Sequence, residues 1–93
     1  MNPVVATATV RNTMGVHARP ASAIVSTANR FAAEVELRKG GVTVNGKSIL
    51  GVLMLAAEQG STLEVSATGE DAGTAVEELV TLIESGFPGL DEG

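Results

Sequence analysis

The segment Gly15-Val16-His17-Ala18-Arg19-Pro20-Ala21 holds the one histidine of the chain and, two residues on, an arginine. A neutral imidazole has a lone pair that can attack phosphorus, and histidine is a recognised covalent catalyst. A guanidinium presents a fork of donors matched to phosphate oxygens. Pro20 suits the first turn of a helix, where a missing N–H costs nothing, and Gly15 permits a tight turn just before it. His17 therefore stands where a helix opens. The backbone amides of such a start, here those of Ala18 and Arg19, point toward an anion, and the helix dipole favours negative charge there. These residues in this order fit transient phosphorylation of His17. Local physics also allows a plain capping or surface histidine beside a solvated arginine.

Composition removes most other chemistries. The chain has no cysteine, so disulfides, thiolate catalysis and cysteine-based metal sites are excluded, and one histidine excludes a histidine-rich metal site. No G-x-S-x-G elbow is present. A net charge of −5 and two aromatic residues, Phe31 and Phe87, argue against a nucleic-acid partner. No cofactor is expected. No apolar run approaches the eighteen or so residues that cross a bilayer, and Met1-Asn2-Pro3 leads straight into alternating residues without a signal-peptide pattern. Insertion into a membrane is not expected, and the cytoplasm is the default location. With 93 residues, of which 44% are apolar and mostly aliphatic, one domain with an aliphatic core is expected over residues 1–93.

The elements that must position His17 follow from periodicity. Val4, Ala6, Ala8 and Val10 alternate with polar or small residues as a first strand, ended by turn residues from Asn12 to Gly15. A helix is expected from about Ala18 to Arg30. Ala21, Ile24, Val25 and Ala28 make its apolar stripe, with Ser22, Ser26 and Asn29 on other faces. Ala33, Val35 and Leu37 form a second strand. Gly40-Gly41 is a hairpin signal into Val42 and Val44, ended by Asn45-Gly46. A short helix is expected from Ser48, its N-cap, to about Ala57. Leu63, Val65 and Ala67 make a fourth strand. A last helix is expected from about Ala72 to Ser85, with Asp71 as N-cap and Gly86 just past its end. Glu77, Glu78 and Glu84 read as its solvated face, and Glu36, Arg38 and Lys39 as strand-edge solubility residues. The ordered core should span about 4–87, with 88–93 a loose tail. The order βαββαβα, with one polar face on every strand, implies an antiparallel sheet covered on one side in a two-layer α+β domain. The order of elements does not fix which strands are neighbours.

The motif around His17 resembles the active-site motif of the HPr family, usually written G-[LIV]-H-[AT]-R-P-A. The resemblance covers residues 4 to 87 and is highly specific. It implies an open-faced β-sandwich, with four antiparallel strands in the order 1-4-2-3 and three helices on one face. It implies that His17 accepts a phosphoryl group on Nδ1 from phospho-enzyme I, charged by phosphoenolpyruvate, and passes it to an EIIA domain. Arg19 would steady the phosphoryl group, while Gly15, Pro20 and the amides of Ala18 and Arg19 shape its seat. Such a protein is a carrier and not an enzyme in the strict sense, and a monomer is expected of it. One departure is Met14, where many sugar-system members have a small polar residue. It mildly matches the nitrogen-related branch of the family and leaves open whether a side chain caps the first helix.

A second motif, Val44 to Gly51, resembles the regulatory-serine segment of the same family. It makes Ser48 a candidate phosphoserine for HPr kinase/phosphorylase, and a docking signal for a catabolite regulator. A phosphate at a helix N-cap gains from the dipole and adds about −1.5 to −2 charges beside a docking surface. Ser48 also fits a cap and nothing more. Ile49, Leu50, Leu53 and Met54, with Ala18, are candidate docking residues for enzyme I and EIIA, although some of the apolar side chains must be core. Two rival readings stay open. One is a nitrogen-related phosphocarrier using the same His17 chemistry. The other is a regulatory binding module like the Crh relatives, which lack the histidine and act through phosphoserine.

Overall fold

Alternating apolar and polar residues make four strands, and the intervening stripes make three helices. The order is β1 (Val4–Thr9), α1 (Ala18–Ala28), β2 (Glu34–Lys39), β3 (Val42–Asn45), α2 (Ile49–Met54), β4 (Thr62–Thr68) and α3 (Ala72–Glu84). The structure is a computed structural model that describes residues 1–90. The strands lie in the order β1-β4-β2-β3, and every neighbouring pair is antiparallel. In register, Ala6 faces Val65, Ala8 faces Leu63, and Leu37 faces both Val65 and Val44. The inward row of Ala8, Val35, Leu37, Leu63, Val65 and Ala67 is buried. The other face carries Thr7, Glu34, Glu36, Arg38 and Thr62, all exposed. The fold is therefore an open-faced sandwich with its helices on one side.

The core is aliphatic apart from Phe87. Ile24 of α1, Leu37 and Leu63 of the sheet, and Leu79 and Ile83 of α3 are fully buried around it. Each such side chain contributes about 1.5–3 kcal/mol relative to exposure. Gly86, with φ +78°, ends α3 as a left-handed residue. No helix among the described residues is long and apolar enough to cross a membrane.

Several expectations change once the elements meet. α1 ends at Ala28, because the Arg30 and Phe31 amides turn back to the Thr27 and Ala28 carbonyls. α2 is shorter than expected, and α3 stops at Glu84. Asp71 precedes α3 but caps nothing with its side chain. Its two carboxylate oxygens instead accept from the Ala32 and Ala33 amides, each at 2.9 Å. Those amides lie in the α1–β2 loop, outside any ladder, and a carboxylate binds them better than water does. Glu84 does not simply face water. It is half-buried, and its Oε2 accepts from the Thr9 amide of edge strand β1 at 3.0 Å. Glu36, Arg38 and Lys39 are not on an edge, since β2 lies between β4 and β3. The tail is tied as far as Leu90, whose amide donates to the Phe87 carbonyl at 2.9 Å and whose half-buried side chain packs on the core. Residues 91–93 lie outside the described residues.

The Asp71 contacts make part of the stability depend on pH. The Ala32 amide is the largest cause holding the Asp71 carboxyl below its ordinary value of 3.8. Partial desolvation opposes it, and the Ala33 amide, the residue's own amide and the Lys47 ammonium add to the lowering. A group whose folded pKa is lowered stabilises the fold above its unfolded pKa, and that stabilisation is lost as pH falls through the folded value. Asp71→Asn should therefore lower the urea midpoint at pH 7, and the gap from wild type should close as pH falls below about 4. Denaturation curves at pH 7, 5 and 3 check this; a gap that stays constant would contradict it.

Candidate functional site

The loop between β1 and α1 is built to deliver His17. Asn12 is buried and its Nδ2 donates to the Gly15 carbonyl at 2.6 Å, while the Gly15 amide donates to the Asn12 carbonyl at 3.2 Å. Gly15 is left-handed, with φ +69°, and a Cβ there would collide with the Ala57 carbonyl oxygen. The next amide, that of Val16, donates to the same oxygen at 2.8 Å. The loop is thus pressed against the segment that follows α2, and glycine is the residue that allows the approach.

His17 is the N-cap of α1. Its backbone is extended, with φ −91° and ψ −166°, and its own side chain does not cap the helix. Its carbonyl accepts from Ala21 at 2.9 Å, which closes the first turn. Pro20 is fully buried and has no N–H. The first-turn backbone donors are therefore those of Ala18 and Arg19. The Ala18 and Arg19 side chains are exposed, whereas His17 is half-buried with its Nε2 atom buried. Ala18, Arg19, Ser22, Ala23, Ser26 and Leu90 line a shallow groove of about 410 Å³ along the exposed side of α1. Asn12 and Leu90 were not singled out from the sequence. An asparagine in a turn, and one leucine after a proline and a glycine, are weak signals alone.

Ser48 caps α2, accepting from the Gly51 amide at 3.0 Å. α2 packs against α1. Its apolar residues divide between two environments. Val52 and Leu55 are buried, and Leu53 is half-buried against the core. Ile49, Leu50 and Met54 are 45%, 70% and 66% exposed. Leu53 is therefore mainly a packing residue, because it lies on the side of the helix that meets the core. Met14, in the loop before His17, is 59% exposed.

A sheet of this order with a histidine-led helix defines a recognisable class. The chain matches the family model described as the PTS HPr component phosphorylation site over residues 4–85. It is 43% identical over 79 residues to phosphocarrier protein HPr of Xylella fastidiosa, covering 85% of this chain and 89% of that one. It is 39% identical over 79 residues to phosphocarrier protein NPr of Proteus mirabilis, covering 84% and 88%. Among solved structures it resembles HPr of Thermoanaerobacter tengcongensis, with a TM-score of 0.84, 41% identity and coverage of 94% and 96%. The chain belongs to the HPr family of phosphocarrier proteins of the phosphotransferase system.

Gly15 carries the sharpest structural demand in the site. Gly15→Ala must abandon either the left-handed turn or the contact with Ala57, and should cost about 1–3 kcal/mol. For a domain of this size each kcal/mol lowers Tm by roughly 4–8 °C. An unchanged thermal melt would show that the loop is not seated on Ala57.

Proposed function

We propose that His17 is the phosphoacceptor, taking a phosphoryl group on Nδ1 from phospho-enzyme I and passing it to an EIIA domain. The observation that carries this reading is the placement of His17 as the N-cap of α1, half-buried with its Nε2 atom buried. In each transfer the Nδ1 lone pair forms a P–N bond as the donor's bond to phosphorus breaks, and the reverse happens on delivery. The Ala18 and Arg19 amides meet the phosphate oxygens at the positive end of the helix, and the Arg19 guanidinium steadies the group in transit. Gly15 and Pro20 shape this seat by fixing the loop and the first turn. Partner enzymes supply the rest of the catalytic machinery, so the protein acts as a reusable carrier in the cytoplasm. The exposed side chains of Ala18, Ile49, Leu50 and Met54 form the docking surface, with Leu53 supporting it from beneath.

Ser48 is the regulatory site in this reading. HPr kinase/phosphorylase would add a phosphate where Oγ already meets the Gly51 amide, so the fold survives while charge is placed beside Ile49 and Leu50. A catabolite regulator is the partner that phosphoserine would recruit. A nitrogen-related phosphocarrier is the second reading. The exposed Met14, in the loop that partners must approach, favours it.

Incubation with phosphoenolpyruvate and a sugar-system or nitrogen-system enzyme I tests the proposal. Wild type should gain one acid-labile phosphate and His17→Ala none, and the enzyme I that labels faster identifies the branch. Labelling of His17→Ala would contradict the assignment. Ser48→Ala should cost about 1 kcal/mol of stability through the lost cap. It should also abolish ATP-dependent labelling by the kinase, as read by intact mass.

A further inference from the structure

Lys39 ends β2, and its side chain leaves the sheet to reach the far end of α2. Its ammonium donates to the carbonyl oxygens of Leu55 at 3.2 Å and Ala56 at 3.0 Å. Those two oxygens belong to the peptide planes on either side of the Ala56 Cα. The angle between adjacent planes is the φ and ψ of the residue between them. One ammonium holding both oxygens therefore holds the backbone of Ala56.

That backbone is in a conformation alanine disfavours. Ala56 has φ +49°, in the left-handed region, where its Cβ crowds the following carbonyl. The carbonyls at the end of α2 have no helical donors beyond them, and the helix end is electronegative, so a cation is well matched to them. The residue after Ala56 is the seat of the His17 loop. Ala57 O accepts the Val16 amide at 2.8 Å and lies directly against Gly15.

We infer that Lys39 is a positioning residue for phosphoryl transfer. By holding Ala56 left-handed it places the Ala57 carbonyl under the loop that presents His17. The inference rests on His17 being the phosphoacceptor, and Lys39 acts through the backbone without touching the phosphoryl group. A lysine that reads as a solubility residue in sequence thus joins the end of a central strand to the active-site loop.

Lys39→Met, Ala56→Gly and the double variant test it, because glycine removes the crowding without restoring the donor. Hydrogen exchange at the Val16 amide reads the seat directly. The kcat and KM for phosphorylation by phospho-enzyme I read its consequence. Lys39→Met should raise Val16 exchange about tenfold and lower kcat about tenfold, with KM little changed, as expected for misplacement of a reacting group. Ala56→Gly alone should stay near wild type, and the double variant should recover both readouts. Lys39→Arg keeps a donor and should retain the seat, which covers the case in which Lys39→Met folds poorly. Unchanged Val16 exchange in Lys39→Met would overturn the inference. So would a KM effect that Ala56→Gly fails to rescue, since that would mark a direct contact with enzyme I. If wild type takes no phosphoryl group, the His17 assignment falls, and the exchange measurements alone decide the role of Lys39.

Discussion

The hydrogen bond from the Val16 amide to the Ala57 carbonyl, 2.8 Å long, joins two separate connections of the sheet. One leads from β1 into α1, and the other leads from α2 into β4. Such a bond contributes only about 1 kcal/mol on its own. Its weight comes from geometry. It lies between two left-handed residues, Gly15 packed against the Ala57 carbonyl and Ala56 just before it. With both in place, His17 is delivered to the start of α1 in an extended conformation, with its carbonyl already committed to the first turn.

A phosphocarrier has two competing needs, a rigid seat for the histidine and an open approach for its partners. This fold meets them by dividing its helices lengthwise. α1 buries Pro20, Ala21, Ile24, Val25 and Ala28 while leaving Ala18 and Arg19 exposed. α2 buries Val52 and leaves Ile49, Leu50 and Met54 toward solvent. In the proposed reading the anion seat is made from backbone amides at a helix start, so a chain of net charge −5 would need no basic surface to hold a phosphate.

The loops around this frame are tied by charged side chains to backbone groups on other elements. Asp71 takes the Ala32 and Ala33 amides, Lys47 donates to the Phe31 carbonyl at 2.7 Å, Glu84 takes the Thr9 amide, and Lys39 takes the end of α2. Each of these residues is spaced in sequence like an ordinary solvated charge. Each partner lies at least sixteen residues away in the chain. Periodicity reports which way a side chain leaves its own element and says nothing of what it meets beyond. For that reason Asp71 reads as a helix cap, Glu84 as a solvated residue and Lys39 as an edge residue until the elements are assembled.

By itself the sequence determined the element order, the covered and open faces of the sheet, the opening of α1 at His17 and the cap at Ser48. All of these are local: they depend on side-chain period, on a proline's fixed φ, on a glycine's freedom and on a hydroxyl within reach of its own helix. Its motif also carried the family, and through it the strand order. Tertiary structure decided which side chains of α2 are core. It also decided that Leu90 returns to the body of the domain and that Lys39 grips the carbonyls beside Ala56. These outcomes depend on distances between elements far apart in the chain, and such distances exist only once the sheet has closed and the helices have packed against it.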